Sequence, residues 1–245
     1  MGFSVTVLGS GGTYAGVGNA CSGFLLRTDT TTVMLDAGPG SFPNLQRHVD
    51  PRDLDAVVVS HSHPDHCLDL PVMRNAMKYV LDVDGLPLYT TAATFEVADS
   101  LASEGVGSTF AATVITDGAE FTVGDLRFRC SRTDHPVETL AFRVDHGDRS
   151  FAYTADTGPG WSLAELGPGI DLAISEATFL DGSDRTAPVH LSAHQAGEAA
   201  ARAGVERLVI THVLPTGSFD DAVAEAADAY GAPVEAALPH RTFDV

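Results

Sequence analysis

The chain has 245 residues, and 33 acidic residues against 14 Lys and Arg give it a formal net charge of −19. This length allows one large domain or two small ones. Such acidity excludes the basic surface that binds nucleic acid, and no run of eighteen apolar residues predicts a membrane-spanning helix.

The cysteines and the N-terminal residues indicate the compartment. Cys21, Cys67 and Cys130 are an odd number without the paired spacing of a zinc ribbon, which favours a reduced protein with buried thiols. The first residues enter a strand pattern without a basic segment or a cleavage site, so we expect no secretory signal. The prediction is a cytoplasmic protein.

The elements alternate along the chain. Apolar runs bounded by turn residues predict strands at 3–8, 23–27, 32–36, 56–60, 86–90, 126–131, 140–144, 150–154, 172–175 and 208–211. Helical patterns cover 64–80, 92–104, 192–203 and 220–230. No linker or short repeat interrupts them, so we predict a single domain over residues 1–245. Its class is α/β, a four-layer αββα sandwich with ligand loops collecting at one edge between the sheets.

The densest cluster of polar residues is the motif HSHPDH at residues 61–66. It directly follows the predicted strand at 56–60, and it holds three of the ten histidines of the chain. Imidazole and carboxylate are ligands that suit zinc and its neighbours in the first transition row. His61, His63, Asp65 and His66 are therefore candidate metal ligands, and a polar loop that happens to be rich in histidine is the weaker interpretation.

Three later residues follow predicted strands in the same way. They are His135, Asp156 and His212. Each alone would be interpreted as a capping or hydrogen-bonded loop residue, but together with the motif they make seven candidate ligands. Seven exceed one tetrahedral site and suit two metals about 3.5–4 Å apart that share a carboxylate.

These motifs resemble the metallo-β-lactamase superfamily and, within it, the ribonuclease Z-like phosphodiesterases. The resemblance covers essentially the whole chain, from VLGSGG at 7–12 and LDAG at 35–38 to the dipeptide TH at 211–212. It implies the metallo-β-lactamase fold and two divalent metal ions. Zinc is the default, and manganese or iron remain open.

The resemblance also implies how the ligands divide. One ion would take His61, His63 and His135, the other would take Asp65, His66 and His212, and Asp156 would bridge them. Asp36 resembles the aspartate that orients a ligand without binding metal. A turn aspartate ahead of Gly38 is an equally good interpretation, and the two are compatible.

A second set of residues resembles the proton-donating part of the family. His190 matches the ribonuclease Z-like histidine that acts as general acid or stabilises the phosphate in the transition state. Glu176, at a predicted strand end, would lie beside it, raise its pKa and orient it. Together with Asp65 they are the candidate catalytic residues. We expect Ser192 to cap the following helix.

The implied reaction is hydrolysis of a phosphodiester by a metal-bridging hydroxide, with His190 as general acid. Ribonuclease Z grips tRNA with a basic arm between its third ligand histidine and its bridging aspartate. Here only twenty residues separate His135 from Asp156, and predicted strands account for them. We therefore expect a small phosphodiester substrate. Arm-less relatives that share DHCLDLP at 65–71 look like cyclic nucleotide phosphodiesterases, which makes a cyclic nucleotide the best-fitting class.

Three alternatives stay open. One is a tRNA 3′-processing endonuclease with ribonuclease Z activity that borrows its arm from another subunit. Another is a lactone, thioester or carboxyl-ester hydrolase, and the third is a non-catalytic metal-binding or sensing protein. We expect neither a nucleic acid nor a membrane partner, and the sequence is compatible with a homodimer.

Overall fold

The computed structural model describes residues 2–182 and 189–245. It contains two mixed sheets of seven strands each. The first sheet comprises β1 (Ser4–Gly9), β2 (Gly23–Arg27), β3 (Thr32–Leu35), β4 (Ala56–Val59), β5 (Leu86–Thr90), β6 (Phe110–Val114) and β14 (Thr242–Asp244), in the order β14-β1-β2-β3-β4-β5-β6.

The second sheet mirrors this arrangement. It comprises β7 (Glu120–Val123), β8 (Leu126–Arg132), β9 (Leu140–His146), β10 (Arg149–Tyr153), β11 (Leu172–Glu176), β12 (Arg207–Thr211) and β13 (Val234–Ala236). Its order is β13-β12-β11-β10-β9-β8-β7.

Helices cover the outer faces of both sheets. Those over the first sheet are α1 (Ser41–Leu45), α2 (Pro64–Cys67), α3 (Leu70–Ala76) with a π-helical turn at Met77–Leu81, and α4 (Ala92–Leu101). Those over the second are α5 (Ala193–Ala203) and α6 (Phe219–Tyr230), with a 3-10 turn at Leu163–Leu166. None of the described helices has the length and apolar character needed to cross a lipid bilayer.

Alternating side chains explain why four layers form. Val58 of β4 packs between the sheets with Phe24 and Phe142, whereas its neighbours Val57 and Val59 pack under the helices of the first sheet. Successive side chains of a strand point to opposite faces, so a strand that is apolar on both faces needs a layer on each side. The predicted αββα sandwich is confirmed.

The parallel strand pairs place the loops that carry candidate site residues at one edge of each sheet. The strands β3, β4 and β5 are parallel neighbours in the first sheet, and β10, β11, β12 and β13 are parallel neighbours in the second. Parallel strands end at the same edge of a sheet. The segments that follow β3, β4, β10, β11 and β12 therefore meet, and each carries one or more candidate site residues.

The prediction of a single continuous helix at 64–80 is wrong. The structure has two helices there, and the break lies at Leu68 and Asp69. The Asp69 carboxylate accepts a hydrogen bond from the backbone N–H of Phe42 at 2.8 Å, and its own N–H binds the carbonyl of Ala37 at 2.8 Å. Pro71 lacks the N–H that would continue the first helix. Tertiary contacts thus override a continuous helical pattern.

Among the described α-helices and strands, five had no prediction from the sequence: the short helix α1 and the strands β6, β7, β13 and β14. Strand β6 is an edge strand with four exposed residues, and β13 and β14 are edge strands of three residues each. Edge strands bury little, so their sequences lack the apolar alternation that marks the central strands.

The N-cap of α5 provides a test of the helix boundary. The Ser192 hydroxyl accepts a hydrogen bond from the N–H of Gln195 at 3.2 Å, and the Gln195 side chain accepts one from the N–H of Ser192 at 2.9 Å. We expect Ser192→Ala to lower the free energy of unfolding by about 1 kcal/mol, measured by urea denaturation. Ser100→Ala, on an exposed face of α4, serves as control. Equal stability of the two variants would contradict this role for Ser192.

Candidate metal centre

The seven predicted ligands converge at the shared edge of the two sheets. Within the described ranges, potential ligand atoms form three groups in which all atoms lie within 4.8 Å of one another. The groups are His61, His63, His135 and Asp156; then Asp65, His66 and His212; and then Asp156, His190 and His212. The first two groups coincide with the two ligand sets that the resemblance implied.

Asp156 lies between the two sets of ligands. Its Oδ2 is 3.5 Å from Nε2 of His61 and 3.8 Å from Nε2 of His135. Its Oδ1 is 3.2 Å from Nε2 of His66 and 3.4 Å from Nε2 of His212. One carboxylate oxygen therefore faces each set, which is the arrangement of a carboxylate shared by two cations.

Buried polar atoms show that the residues fit divalent cations. Among the described residues, Nε2 of His61 and Oδ1 of Asp156 are buried without a hydrogen-bond partner. Nε2 of His135 lies 3.0 Å from Nδ1 of His63, and Nε2 of His66 lies 3.3 Å from Nε2 of His212. Buried nitrogen and oxygen atoms are normally paired. Here the ring nitrogens and the carboxylate oxygen instead face one another. Nitrogen and oxygen atoms arranged in this way can act together as the ligands of a metal ion.

Three of the imidazoles have the protonation state that this donor set requires. Burial lowers the pKa of His61 to about 4 and also lowers the pKa of His63 and of His135, so these imidazoles are neutral at neutral pH. Neutral imidazole is the form that binds metal.

The carboxylates of the site are ionised. Burial raises the pKa of Asp156, but the electrostatic interactions of its carboxylate with the imidazoles of His212 and His66 outweigh burial and hold that pKa well below its usual range. Burial lowers the pKa of His66, but the negative charges of Asp156 and Asp36 outweigh it and hold the pKa well above the ordinary value. Buried negative charge requires a cationic partner.

Asp36 holds His66 in place and does not face the cation positions. Its carboxylate accepts hydrogen bonds from Nδ1 of His66 at 2.8 Å, from the N–H and hydroxyl of Ser60 at 2.8 Å and 3.0 Å, and from the hydroxyl of Tyr153 at 2.8 Å. The Nδ1–H of His66 is thereby directed away from the site, and Nε2 is left to bind. Such contacts fix the tautomer and the ring plane of a metal ligand.

Other imidazoles of the site are fixed by partners that the sequence did not reveal. Nδ1 of His61 lies 2.9 Å from the hydroxyl of Ser60, and Nδ1 of His135 lies 3.0 Å from the carbonyl of Val189. Nδ1 of His212 lies 2.8 Å from the hydroxyl of Thr178. These partners become visible only when distant segments meet. The sequence contains only one signal of these partners, the position of a hydroxyl residue near a candidate residue. Ser60 directly precedes His61, and Thr178 lies two residues after Glu176.

Several loops reach the site in a left-handed backbone conformation. Thr13, Asp36, Ala155 and His212 have φ angles of 67°, 58°, 50° and 60°. Non-glycine residues rarely adopt this conformation, and it persists where surrounding contacts impose it. At Thr13 the backbone N–H donates to Oδ2 of Asp65 at 2.8 Å, so the strained loop directly positions a predicted ligand.

His190 and Glu176 lie together beside the cluster. Nδ1 of His190 is 3.1 Å from Oε1 of Glu176 and 3.9 Å from Oδ2 of Asp156. Burial lowers the pKa of His190, but its hydrogen bond to Glu176 and the charge of that carboxylate outweigh burial and raise the pKa to about 9. The Glu176 carboxylate also accepts hydrogen bonds from the N–H of Thr157 and the hydroxyl of Thr178, which hold it in one orientation.

A protein-family model, described as "Beta-lactamase superfamily domain", matches residues 31–213 of the chain. The chain belongs to this superfamily. The predicted family is confirmed, and with the buried histidine and aspartate cluster it makes the chain a metallo-hydrolase of the superfamily. The individual ligand and catalytic assignments stay predictions.

Full-length relatives support the same family. "Uncharacterized protein ML1173" of Mycobacterium leprae is 35% identical over 257 residues, which cover 98% of this chain and 88% of the relative. "Probable metallo-hydrolase YhfI" of Bacillus subtilis is 30% identical, with 95% and 96% covered. "Ribonuclease Z" of Mycolicibacterium gilvum is 29% identical, with 94% and 92% covered.

Crystal structures show the same fold. YhfI from Bacillus subtilis superimposes with a TM-score of 0.89 at 27% identity, over 98% of both chains. The short form of human tRNase Z gives a TM-score of 0.77 at 19% identity over 98% of both chains. A diphosphatase of the PhnP family gives 0.78 at 18% identity, over 99% of this chain and 98% of the other. At such low identity the last two show the fold alone.

Metal content tests the shared carboxylate. We expect the wild-type protein to hold two divalent ions per chain, and Asp156→Ala to hold at most one, because both ligand sets lose an oxygen. Inductively coupled plasma mass spectrometry after metal loading gives the stoichiometry. His48→Ala is the control, since His48 pairs with His240 at 2.9 Å outside the cluster. Two ions in Asp156→Ala would contradict the bridging assignment.

Asp36→Asn tests whether Asp36 acts on His66 or only shapes a turn. An amide of the same size loses the charge that holds Nδ1–H of His66, so we expect metal affinity to fall about 10- to 100-fold. Competition with a coloured chelator measures the affinity. Tyr153→Phe removes one neutral donor to the same carboxylate and should have a smaller effect. A lower free energy of unfolding at unchanged metal affinity would show that Asp36 only stabilises the turn ahead of Gly38.

Proposed function

We propose that the chain is a di-metal phosphodiesterase that acts on a small phosphodiester such as a cyclic nucleotide. The main support for this proposal is the hydrogen bond between His190 and Glu176, directly beside the cluster of predicted metal ligands. Hydrolysis of an unactivated phosphodiester produces an alkoxide, which needs a proton as it leaves. A charged imidazole next to the cluster provides that proton.

The predicted ligands would hold two divalent ions, with the seven residues divided as the two ligand sets indicate. When bound, such ions lower the pKa of water to give a nucleophile at neutral pH and stabilise charge on a phosphoryl group. The protein fixes their positions through contacts on the far side of the rings, such as Asp36 on His66 and Thr178 on His212.

The hydrogen bond with Glu176 sets the role of each nitrogen of His190. Because Nδ1–H donates to the carboxylate, Nε2 is the atom free to present a proton to the leaving oxygen. A pKa of about 9 keeps the ring charged at neutral pH, and the charge also stabilises a phosphoryl oxyanion. His190 thus combines proton donation with electrostatic stabilisation.

Charge favours a monoanionic substrate. Two divalent ions outweigh the carboxylates of Asp65 and Asp156 and leave the centre positive, which suits a phosphodiester. The net charge of −19 on the whole chain opposes a small anion little, because charges beyond about 8 Å are screened at physiological ionic strength.

The connection between His135 and Asp156 supports a small substrate. Residues between them form β9 and β10, which are joined by only Gly147 and Asp148, and this leaves no segment for a projecting arm. A polynucleotide gains affinity from many Lys and Arg contacts along its backbone. A chain with 14 such residues and 33 acidic ones offers few.

A second candidate is endonucleolytic cleavage of RNA. The observation that favours it is the relative from Mycolicibacterium gilvum that bears the name ribonuclease Z and aligns with nearly the whole chain. This activity would use the same centre, with RNA bound through surfaces supplied by another subunit.

A panel of substrates tests the proposal on metal-loaded protein. It compares cyclic AMP and cyclic GMP, bis-p-nitrophenyl phosphate, a tRNA precursor, a lactone and a thioester. We expect turnover of the phosphodiesters and no turnover of the carbonyl substrates. Cleavage of the precursor with tight tRNA binding at low salt would move the assignment to the second candidate. Turnover of the lactone or thioester alone would reject both.

The leaving group tests His190 specifically. We expect His190→Ala to lower kcat about 10²- to 10⁴-fold on a cyclic nucleotide, whose leaving alkoxide needs a proton. The loss should be much smaller on bis-p-nitrophenyl phosphate, because p-nitrophenolate leaves without one. Glu176→Gln should show the same pattern, and His194→Ala, on the exposed side of α5, is the control. Equal losses on both substrates, or a loss of bound metal, would contradict the proton-donor role.

A further inference from the structure

A polar cavity lies on the outer face of the second sheet, away from the cluster of predicted metal ligands. It has a volume of about 350 Å³, and we call it the arginine cavity after its main lining residues, Arg127, Arg129 and Arg143. Glu120 and Asp145 complete its polar wall, and Gly167 and Pro168 form its rim. Three of the 14 cationic side chains of a very acidic protein thus converge on one cavity.

Strand register forces two of these arginines together. Arg129 of β8 lies directly opposite Arg143 of β9 in the antiparallel pair. Like charges in directly opposed positions destabilise a sheet. Both guanidinium groups also donate to the same acceptor, the carbonyl oxygen of Leu166, with Arg143 at 3.2 Å. Arg143 donates as well to the carbonyl of Pro168 at 2.7 Å.

Carboxylates balance this charge only in part. Asp145 accepts hydrogen bonds from Arg127 at 3.1 Å and from Arg143 at 2.8 Å, so one acid serves two cations. Across residues 2–182 and 189–245, no carboxylate lies within ion-pair distance of Arg129. With Glu120 counted, the cavity holds three positive and two negative side chains.

Capping of a helical turn explains only part of this arrangement. The carbonyls of Leu166 and Pro168 lie at the end of the 3-10 turn at Leu163–Leu166, and a cation at such an end is stabilising. One guanidinium is enough for that purpose. The second adds like-charge repulsion, which Asp145 and Glu120, the residue opposite Arg129 in the β7–β8 pair, offset in part, and an anion between the two arginines would reduce it further.

We propose that the arginine cavity binds a small phosphorylated anion at a site separate from the metal centre. Guanidinium groups recognise phosphate oxygens through paired, charge-assisted hydrogen bonds. None of the residues that line the cavity is a candidate metal ligand or a sequence neighbour of one, so the two sites are built from different residues. This proposal does not depend on the phosphodiesterase activity.

Calorimetric titration of the metal-loaded protein with inorganic pyrophosphate at low salt tests the proposal. The metal centre also attracts phosphate, so we expect two binding events in the wild type. Arg129→Gln should weaken one of them about tenfold or more and leave the other unchanged. Arg149→Gln is the matched control, because Arg149 pairs with Asp171 at 3.3 Å outside the cavity. A titration with ADP shows whether a nucleoside adds affinity to the diphosphate.

A second variant and a second measurement separate binding from folding. Arg143→Lys keeps the charge but loses the planar fork, and it should also weaken the same event. Pyrophosphate should raise the Tm of the wild type by more than that of either variant, while turnover of bis-p-nitrophenyl phosphate stays unchanged in both. Identical isotherms and equal Tm shifts in the wild type and Arg129→Gln would overturn the proposal and leave these arginines with the capping role alone.

Discussion

The contacts of the Asp36 carboxylate are the constraint on which the rest of the site depends. This group lies at the end of β3 in the first sheet and receives the hydroxyl of Tyr153 from β10 in the second. It also accepts hydrogen bonds from Ser60, which precedes the histidine motif, and from His66, which ends it. One buried carboxylate therefore links the two sheets and orients an imidazole at once.

The sequence predicted which candidate ligands lie together because their signal is local. Histidine is rare in this chain, and His61, His63 and His66 follow a strand that is apolar on both faces. Strand ends also marked His135, Asp156 and His212, and for Asp156 and His212 parallel pairing of the preceding strands brings these ends to one edge. The αββα sandwich followed from the same alternation of strands and helices. Residue type and position along a strand were sufficient for these features.

Other features depend on contacts between segments far apart in the chain. Nothing in the local sequence shows that Thr13 would bind Asp65 or that the carbonyl of Val189 would bind His135. The break in the helix predicted at 64–80 has the same origin, because Asp69 binds the segment around Phe42. Pro71 was the local signal for that break, and the apolar periodicity concealed it. Short edge strands escaped prediction because they bury few side chains.

The two predicted ligand sets draw on both halves of the chain. Residues of the motif at 61–66 join His135 in one set and His212 in the other, and up to 147 positions of sequence separate such partners. During synthesis, a ribosome must therefore release almost the whole protein before the second set can form. Until then the motif offers only a partial set of ligands, which binds metal weakly. We therefore expect the ion of the second predicted set to bind only after translation ends, when it would close a loop spanning more than half of the polypeptide.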